Sequence, residues 1–176
     1  DMMAPDLSFV YENKKDFLGI VLTHAHEDHV GSVGYLFNDL QLPIYATPFT
    51  AEVAKNKLAQ VKAQGRADIR IVEPGSDFKI GDFEIQMIQI THSIPEMNGL
   101  MIRTPKGNIF HTGDWKFDPK PVVKPTTDFD ALEKIGYHAK PFQPEQHEAS
   151  FRQENKAFLK RLGLAGLMTM HVMMLN

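Results

Sequence analysis

Cysteine is absent from the 176 residues. Disulfides and thiolate zinc sites are therefore excluded, and the redox compartment is left open. Any metal would have to be held by His, Asp or Glu. Long apolar runs are also missing. The longest, Phe17–Leu22 and Leu162–Met170, fall far short of the about 20 residues a helix needs to cross a bilayer, so no membrane partner is expected. The opening Asp1-Met2-Met3-Ala4-Pro5-Asp6 is acidic and does not read as a secretory leader. Asp1 in place of an initiator Met reads as a processed chain or a piece of something longer. No excess of positive charge exists: 19 basic residues against 22 acidic ones leave a net charge of −3. The chain as a whole thus has no electrostatic case for nucleic-acid binding. Internal repeats and low-complexity tracts are missing too.

What is present is ordinary for a globular protein. The hydrophobic fraction of 43% and charged fraction of 23% exclude global disorder. A mass of 19.9 kDa fits one domain with a real core.

Phe17–Thr23 is a short run of apolar, branched residues and reads as a strand buried on both faces. Val30–Leu40 reads as a helix, with Gly31 and Gly34 allowing close packing of its first turns. Pro43–Ala46 reads as a strand, followed by Thr47 as N-cap, Pro48 at the first helical position and a helical run ended by Gly65. Ile69 and Ile71 mark another strand. Two hairpins follow, one turning at Gly81-Asp82 and one around Pro105-Lys106-Gly107-Asn108. Ile88 and Ile90 break the alternation of their strand, which predicts a bulge or burial on both faces. Thr127–Ile135 reads as a helix with Thr127 and Asp130 as capping box, and Ser150–Leu162 as an amphipathic helix. Leu164–Leu175 is apolar and Met-rich, either a buried strand or a loosely specified tail.

The chemistry is concentrated in His24-Ala25-His26-Glu27-Asp28-His29, directly after the first strand. Residues 24 and 26 of an extended segment point the same way. Two imidazoles so placed can grip one metal, and Asp28 and His29, after a turn, can reach a second beside it. His and Asp suit zinc. Three His and one Asp within six residues, in a chain with eight His, are not the pattern of a chance polar loop. Two adjacent metals can activate a water and clamp attacking and leaving oxygens.

With this motif the chain resembles the metallo-β-lactamase superfamily, whose zinc-binding motif is His-x-His-x-Asp-His. Ile90-Thr91-His92-Ser93-Ile94-Pro95 and His111-Thr112-Gly113-Asp114-Trp115-Lys116-Phe117-Asp118 look like the ribonuclease J family, in the β-CASP branch. The segment Asp6–Leu22 is similar to the approach to the motif in that family. The resemblance covers about residues 1–136. It implies an α/β fold, the metallo-β-lactamase-like αββα sandwich, here incomplete. The family has strands and an acidic motif ahead of the matched region, and a β-CASP domain inserted after the helix corresponding to Thr127–Ile135. Residues 137–176 match none of the later family motifs and are expected to pack on the same domain.

Carried over by position, the resemblance implies that His24, His26 and His92 ligate one zinc. Asp28 and His29 would ligate a second, and Asp114 would bridge the two, with Asp28 and Asp114 serving catalysis. The implied cofactor is Zn2+, two per site, with Mn2+ also accepted by such donors. The implied activity is RNA phosphodiester hydrolysis by a bridging hydroxide, both 5′-to-3′ exonuclease and endonuclease, on cytoplasmic RNA. Homo-oligomers are known in the family. Two other readings stand beside it: a different dinuclear hydrolase acting on a thioester, lactone or small phosphodiester, and a catalytically inactive metal-binding fragment.

The neighbouring residues receive plainer readings. His111 is read as a support rather than a ligand, and Glu27 as solvent-facing or supporting. Trp115 and Phe117 are read as core, and Lys116, Lys120 and Lys124 as a solvated face. His138, His147 and His171 are read as ordinary residues rather than a last ligand.

Overall fold

A computed structural model of the chain describes residues 6–137 except Gln64, Phe117, Pro119 and Lys124, all within one unit, Asp1–His138. The expectations for Phe117, Lys124, His138, His147, His171, Ser150–Leu162 and Leu164–Leu175 lie outside the described residues.

A short helix, α1 (Ser8–Glu12), and a single 3-10 turn, Lys14–Asp16, lead into β1 (Ile20–Val21). The strand is shorter than the apolar run suggests, because its partner is short. β1 pairs in parallel with β2 (Ile44–Ala46), and Leu22 N–H still donates to Tyr45 C=O at 2.9 Å. β2 pairs in parallel with β3 (Ile69–Ile71), giving the order β1-β2-β3.

The expected helix over Val30–Leu40 is two pieces, α2 (Glu27–Val30) and α3 (Val33–Leu40). Gly31 and Ser32 separate them. α4 (Pro48–Gln60) follows β2 with Pro48 at its start, as read, and with Thr47 extended at φ −66°, ψ 161°. The Thr47 hydroxyl does not cap, however; it donates to Thr50 Oγ1 at 3.1 Å. The first-turn N–H of Phe49 instead donates to Glu96 Oε2 at 2.8 Å, from a loop 47 residues away. α4 ends before Gly65, and the chain turns at Lys62, whose φ is +56°.

α3 and α4 pack together and onto one face of the parallel sheet. Their contact is close because residue 34 is glycine: a Cβ there would lie 2.7 Å from Lys57 C=O. Val30, Val33, Phe37, Ala51, Ala54 and Leu58 cover Leu22, Ile44 and Ala46. Each fully buried side chain of Leu58 or Ile44 size contributes about 1.5–3 kcal/mol.

The second sheet is antiparallel, in the order β4-β5-β6-β7: Asp77–Ile80, Phe83–Gln89, Asn98–Thr104 and Gly107–His111. Both predicted hairpins are present. Gly81 makes the first turn possible, at φ +57°. β5 and β6 stay in register from Glu84↔Arg103 to Gln89↔Asn98, so no bulge interrupts them. Ile88 breaks the alternation because β5 is buried on both sides. Ile85 and Met87 meet Tyr45, Val72 and Leu100 in the core between the two sheets. Ile88 is buried on the opposite face, where Phe110 also lies with Tyr137 stacked edge-on against it. α5 (Phe129–Lys134) ends three residues before Tyr137.

The order of layers is therefore helices, parallel sheet, antiparallel sheet, helix, the expected αββα sandwich in incomplete form. A second capping assignment is corrected, after that of Thr47. The N-cap of α5 is Asp128, whose carboxylate accepts from Ala131 N–H at 2.9 Å, and not Thr127. The Thr127 hydroxyl is committed elsewhere, to Thr91.

Candidate metal centre

The C-terminal end of β1 is joined to the second sheet by one bond: Asn98 N–H donates to Thr23 C=O at 3.1 Å. That bond sets His24 facing the segment that leaves β5. His26 is the last extended residue, at φ −67°, ψ 151°. Its carbonyl accepts from His29 N–H and Val30 N–H and so starts α2. Asp28 and His29 thus sit on the first helical turn after the two extended histidines. His92 follows β5 in a loop closed by Ile90 N–H donating to Met97 C=O at 3.0 Å. Asp114 follows β7 after Gly113, whose φ is +58°. A Cβ on Gly113 would lie 2.2 Å from Met97 Cε and 3.3 Å from Asn98 C=O, so glycine is required there.

These four segments bring five of the six candidate ligands together. His24 Nε2 lies 3.1 Å from His26 Nδ1, and His92 Nε2 lies 3.0 Å from the same atom. His29 Nε2 lies 3.1 Å from Asp114 Oδ2, and His24 Nε2 lies 3.9 Å from it. Two groups result, His24/His26/His92 and His24/His29/Asp114, each with donor atoms within 4.8 Å of one another. Asp28 joins neither group. It is largely exposed, with Oδ2 at 3.7 Å from His29 Nε2.

The donor chemistry fits a metal ion. Two imidazole nitrogens, His24 Nε2 and His92 Nε2, each lie about 3 Å from His26 Nδ1, and all three lie within 4.8 Å of one another. Tetrahedral zinc with Zn–N of about 2.0–2.1 Å would place such nitrogens about 3.3 Å apart. The outward nitrogens agree with this orientation. His24 Nδ1 is 3.0 Å from Thr23 Oγ1, and His26 Nε2 is 3.4 Å from Ser93 Oγ, so hydroxyls stand where each outward N–H would donate. His92 Nδ1 is buried without a partner among the described residues. That ring is aimed at its neighbours' nitrogens and not at a protein acceptor.

Electrostatics point the same way. Burial, with the adjacent rings of His29, His26 and His92, lowers the pKa of His24 to about 4, against a small opposing pull from Asp114. Burial and His26 lower that of His92. Desolvation pushes Asp114 up, but the hydrogen bond from His29 and the fields of His29, His24 and His92 outweigh it, and the net shift is down. His24 and His92 are therefore biased toward the neutral imidazole and Asp114 toward the ionised carboxylate, the protonation states metal binding needs.

The remaining candidates behave unevenly. His111 is exposed and accepts from Gly113 N–H at 3.1 Å through Nδ1, outside both groups. Glu27 turns away and accepts from Lys57 Nζ at 2.6 Å, tying α2 to α4. Trp115 is not core: it is 42% exposed. β7, which delivers it, is mostly exposed, so no layer closes over the indole among the described residues. Lys116 and Lys120 are exposed, as expected of a solvated face. The supporting hydroxyls of Thr23 and Ser93 carry one local signal in the sequence, a Thr or Ser adjoining a candidate His donor.

A parallel and an antiparallel sheet packed face to face, with helices outside and a His/Asp cluster at the strand ends, define the metallo-β-lactamase class of fold. The chain belongs to the beta-lactamase superfamily: the family model described as beta-lactamase superfamily domain matches residues 4–170. Among curated relatives, it is 40% identical over 136 residues to ribonuclease J of Sinorhizobium meliloti, covering 77% of this chain and 24% of that protein. It is 40% identical over 137 residues to ribonuclease J of Helicobacter pylori, with coverages of 77% and 20%. Ribonuclease J2 of Bacillus subtilis is 34% identical over 136 residues, with coverages of 77% and 24%. The chain thus spans a quarter or less of the length of these relatives.

Among solved structures, the metallo-beta-lactamase fold protein YhfI from Bacillus subtilis superposes with a TM-score of 0.51 at 20% identity, over 63% of this chain and 46% of that one. A possible metal-dependent hydrolase from Veillonella parvula gives 0.50 at 15% identity, over 77% and 50%. At these identities the likeness is one of fold. Among the described residues, no helix is long and apolar enough to cross a membrane.

Proposed function

We propose that the chain is part of the catalytic domain of a metal-dependent ribonuclease that hydrolyses RNA phosphodiester bonds at a dinuclear zinc site. The observation that carries this reading is the pair of donor groups sharing His24, in a chain 40% identical to ribonuclease J proteins over 136 residues. In this reading residues 1–136 are a partial metallo-β-lactamase domain. Its substrate is cytoplasmic RNA, cut from the 5′ end and internally, and homo-oligomers are expected from the resemblance. Zn2+ is the cofactor proposed, with Mn2+ a second ion that His and carboxylate donors accept.

His24, His26 and His92 would hold one ion. His29 and Asp114 would hold the second, with Asp28 completing it and Asp114 reaching both. When bound, such a pair supplies Lewis acidity toward phosphoryl oxygens and lowers the pKa of water toward neutrality. The chain's own residues provide the frame. Asp114 would bring negative charge that offsets part of the charge of the ions. The Thr23 and Ser93 hydroxyls hold the His24 and His26 rings with their lone pairs inward. Asp28, exposed on the first turn of α2, and Asp114 are the residues proposed to serve catalysis.

The test is metal content per folded chain, by elemental mass spectrometry of protein purified without chelator, followed by cleavage of 5′-monophosphorylated RNA. About two zinc equivalents with RNA turnover support the reading. Two equivalents with turnover of thioesters, lactones or small phosphodiesters but not RNA would transfer the site to another hydrolase chemistry. Bound metal without any turnover would make the chain an inactive metal-binding fragment.

A further inference from the structure

Thr91 and Thr127 form a reciprocal lock across 36 residues of sequence. Thr91 N–H donates to Thr127 Oγ1 at 2.9 Å, and Thr127 N–H donates to Thr91 Oγ1 at 2.8 Å. The Thr127 hydroxyl completes the set by donating to Thr91 Oγ1 at 3.0 Å. Both residues are buried. The remaining polar atom of Thr91, its carbonyl, accepts from Lys116 N–H at 2.8 Å. Next to this lock, Asp128 N–H donates to Gln89 C=O at 3.0 Å.

The placement of this node is informative. Thr91 immediately precedes His92, and Lys116 lies two residues after Asp114. His92 belongs to one donor group and Asp114 to the other. The two segments that carry them are joined through Thr91, and Thr91 is held from behind by Thr127. β5 has already ended at Gln89, so the strand ladder no longer restrains Thr91. A buried threonine pair does so instead, and every polar atom of Thr91 is used.

We propose that Thr127 is a positioning residue, whose hydroxyl sets the separation of the His92 and Asp114 donors and so makes the second metal position usable. This rests on the dinuclear reading above and adds a residue outside both donor groups. It also gives the start of α5 a role in the site. The helix's own cap is Asp128, which leaves the Thr127 side chain for the metal centre. A buried hydrogen-bonded pair of this kind is costly to break, because the abandoned N–H remains buried.

The experiment titrates the metal-free 176-residue chain with Zn2+ against a competing chelator, and with Co2+ followed by visible absorption. Wild type, Thr127→Ser, Thr127→Ala and Leu132→Ala are compared, with circular dichroism and thermal unfolding for each. Leu132 is buried in α5 but makes no hydrogen bond through its side chain, so its truncation lowers stability without touching the lock. We expect Thr127→Ala to weaken binding of at least one of the two ions about 10–100-fold, as lost support of a ligand typically does, and to change the Co2+ spectrum. Thr127→Ser should restore wild-type affinity, and Leu132→Ala should lower the melting temperature without that loss of affinity. Should Thr127→Ala not fold, Thr127→Val takes its place. Wild-type affinity in the alanine variant, equal loss in the serine variant, or equal loss in Leu132→Ala would each overturn the proposal alone. A wild-type chain that binds no metal would overturn the dinuclear reading, and this inference with it.

Discussion

His29 Nε2 and Asp114 Oδ2 lie 3.1 Å apart although 85 residues separate them in sequence. One is on the first turn of α2 after the parallel sheet, and the other is on the exit from the antiparallel sheet. Their meeting makes the donor groups a property of both sheets together.

Removing a donor should therefore remove an ion. His26→Ala and Asp114→Ala are each expected to bind one equivalent less metal than wild type. Loss of preorganised charge stabilisation of this kind typically costs about 100-fold or more in rate. Elemental analysis and single-turnover RNA cleavage read the two effects separately. Undiminished turnover in either variant would rule out the proposed site.

Gly113→Ala should damage both fold and site. The substitution forces a side chain into left-handed backbone at φ +58° and into the space of Met97. A cost of about 1–3 kcal/mol is expected from the backbone alone. A lower melting temperature together with weaker metal binding would agree. A variant with the wild-type melting temperature would show that the turn before Asp114 is not constrained as described.

The metal-free protein should be acid-sensitive in a defined window. The buried His24 ring has a pKa of about 4 when folded, against 6.5 unperturbed. Between these values the unfolded chain binds more protons than the folded one, so stability falls as pH drops from 6.5 toward 4. Above 6.5 this group has no effect. His92 acts in the same direction. Thermal unfolding at a series of pH values, in wild type and in His24→Gln, measures the contribution; identical pH profiles would contradict it.

Trp115 is the only tryptophan, it is 42% exposed, and it adjoins Asp114. Its fluorescence should respond to metal binding at the centre. Titration of metal-free protein with Co2+ is expected to quench the emission, and Asp114→Ala should reduce that quenching. An unchanged emission through saturation would place the ion away from the Asp114 segment.

Much of the architecture was legible along the chain because local rules govern it. Thr47-Pro48 announces α4, Gly81-Asp82 the first hairpin, and the β5 pattern its burial on both sides. The extended His24 and His26 followed by a helical turn place two candidate donors on one side by backbone geometry alone. Other features had no local sign. The trans-cap from Glu96 to Phe49 and the exposure of Trp115 depend on what lies across the fold, whereas the break of the Val30–Leu40 helix falls at Gly31, a glycine that weakens a helix.

The sequence by itself determined that His24, His26, Asp28 and His29 stand within one strand exit and one turn, and that no cysteine competes with them as a donor. Only the tertiary structure decided how the donors group. His92 and Asp114 reach His24, His26 and His29 because Asn98 joins the two sheets at Thr23 and because Thr91 is held by Thr127 and Lys116. The physical reason is range. Strand direction and helix turns act over a few residues, whereas donor spacing is set by hydrogen bonds between segments 25 to 75 residues apart.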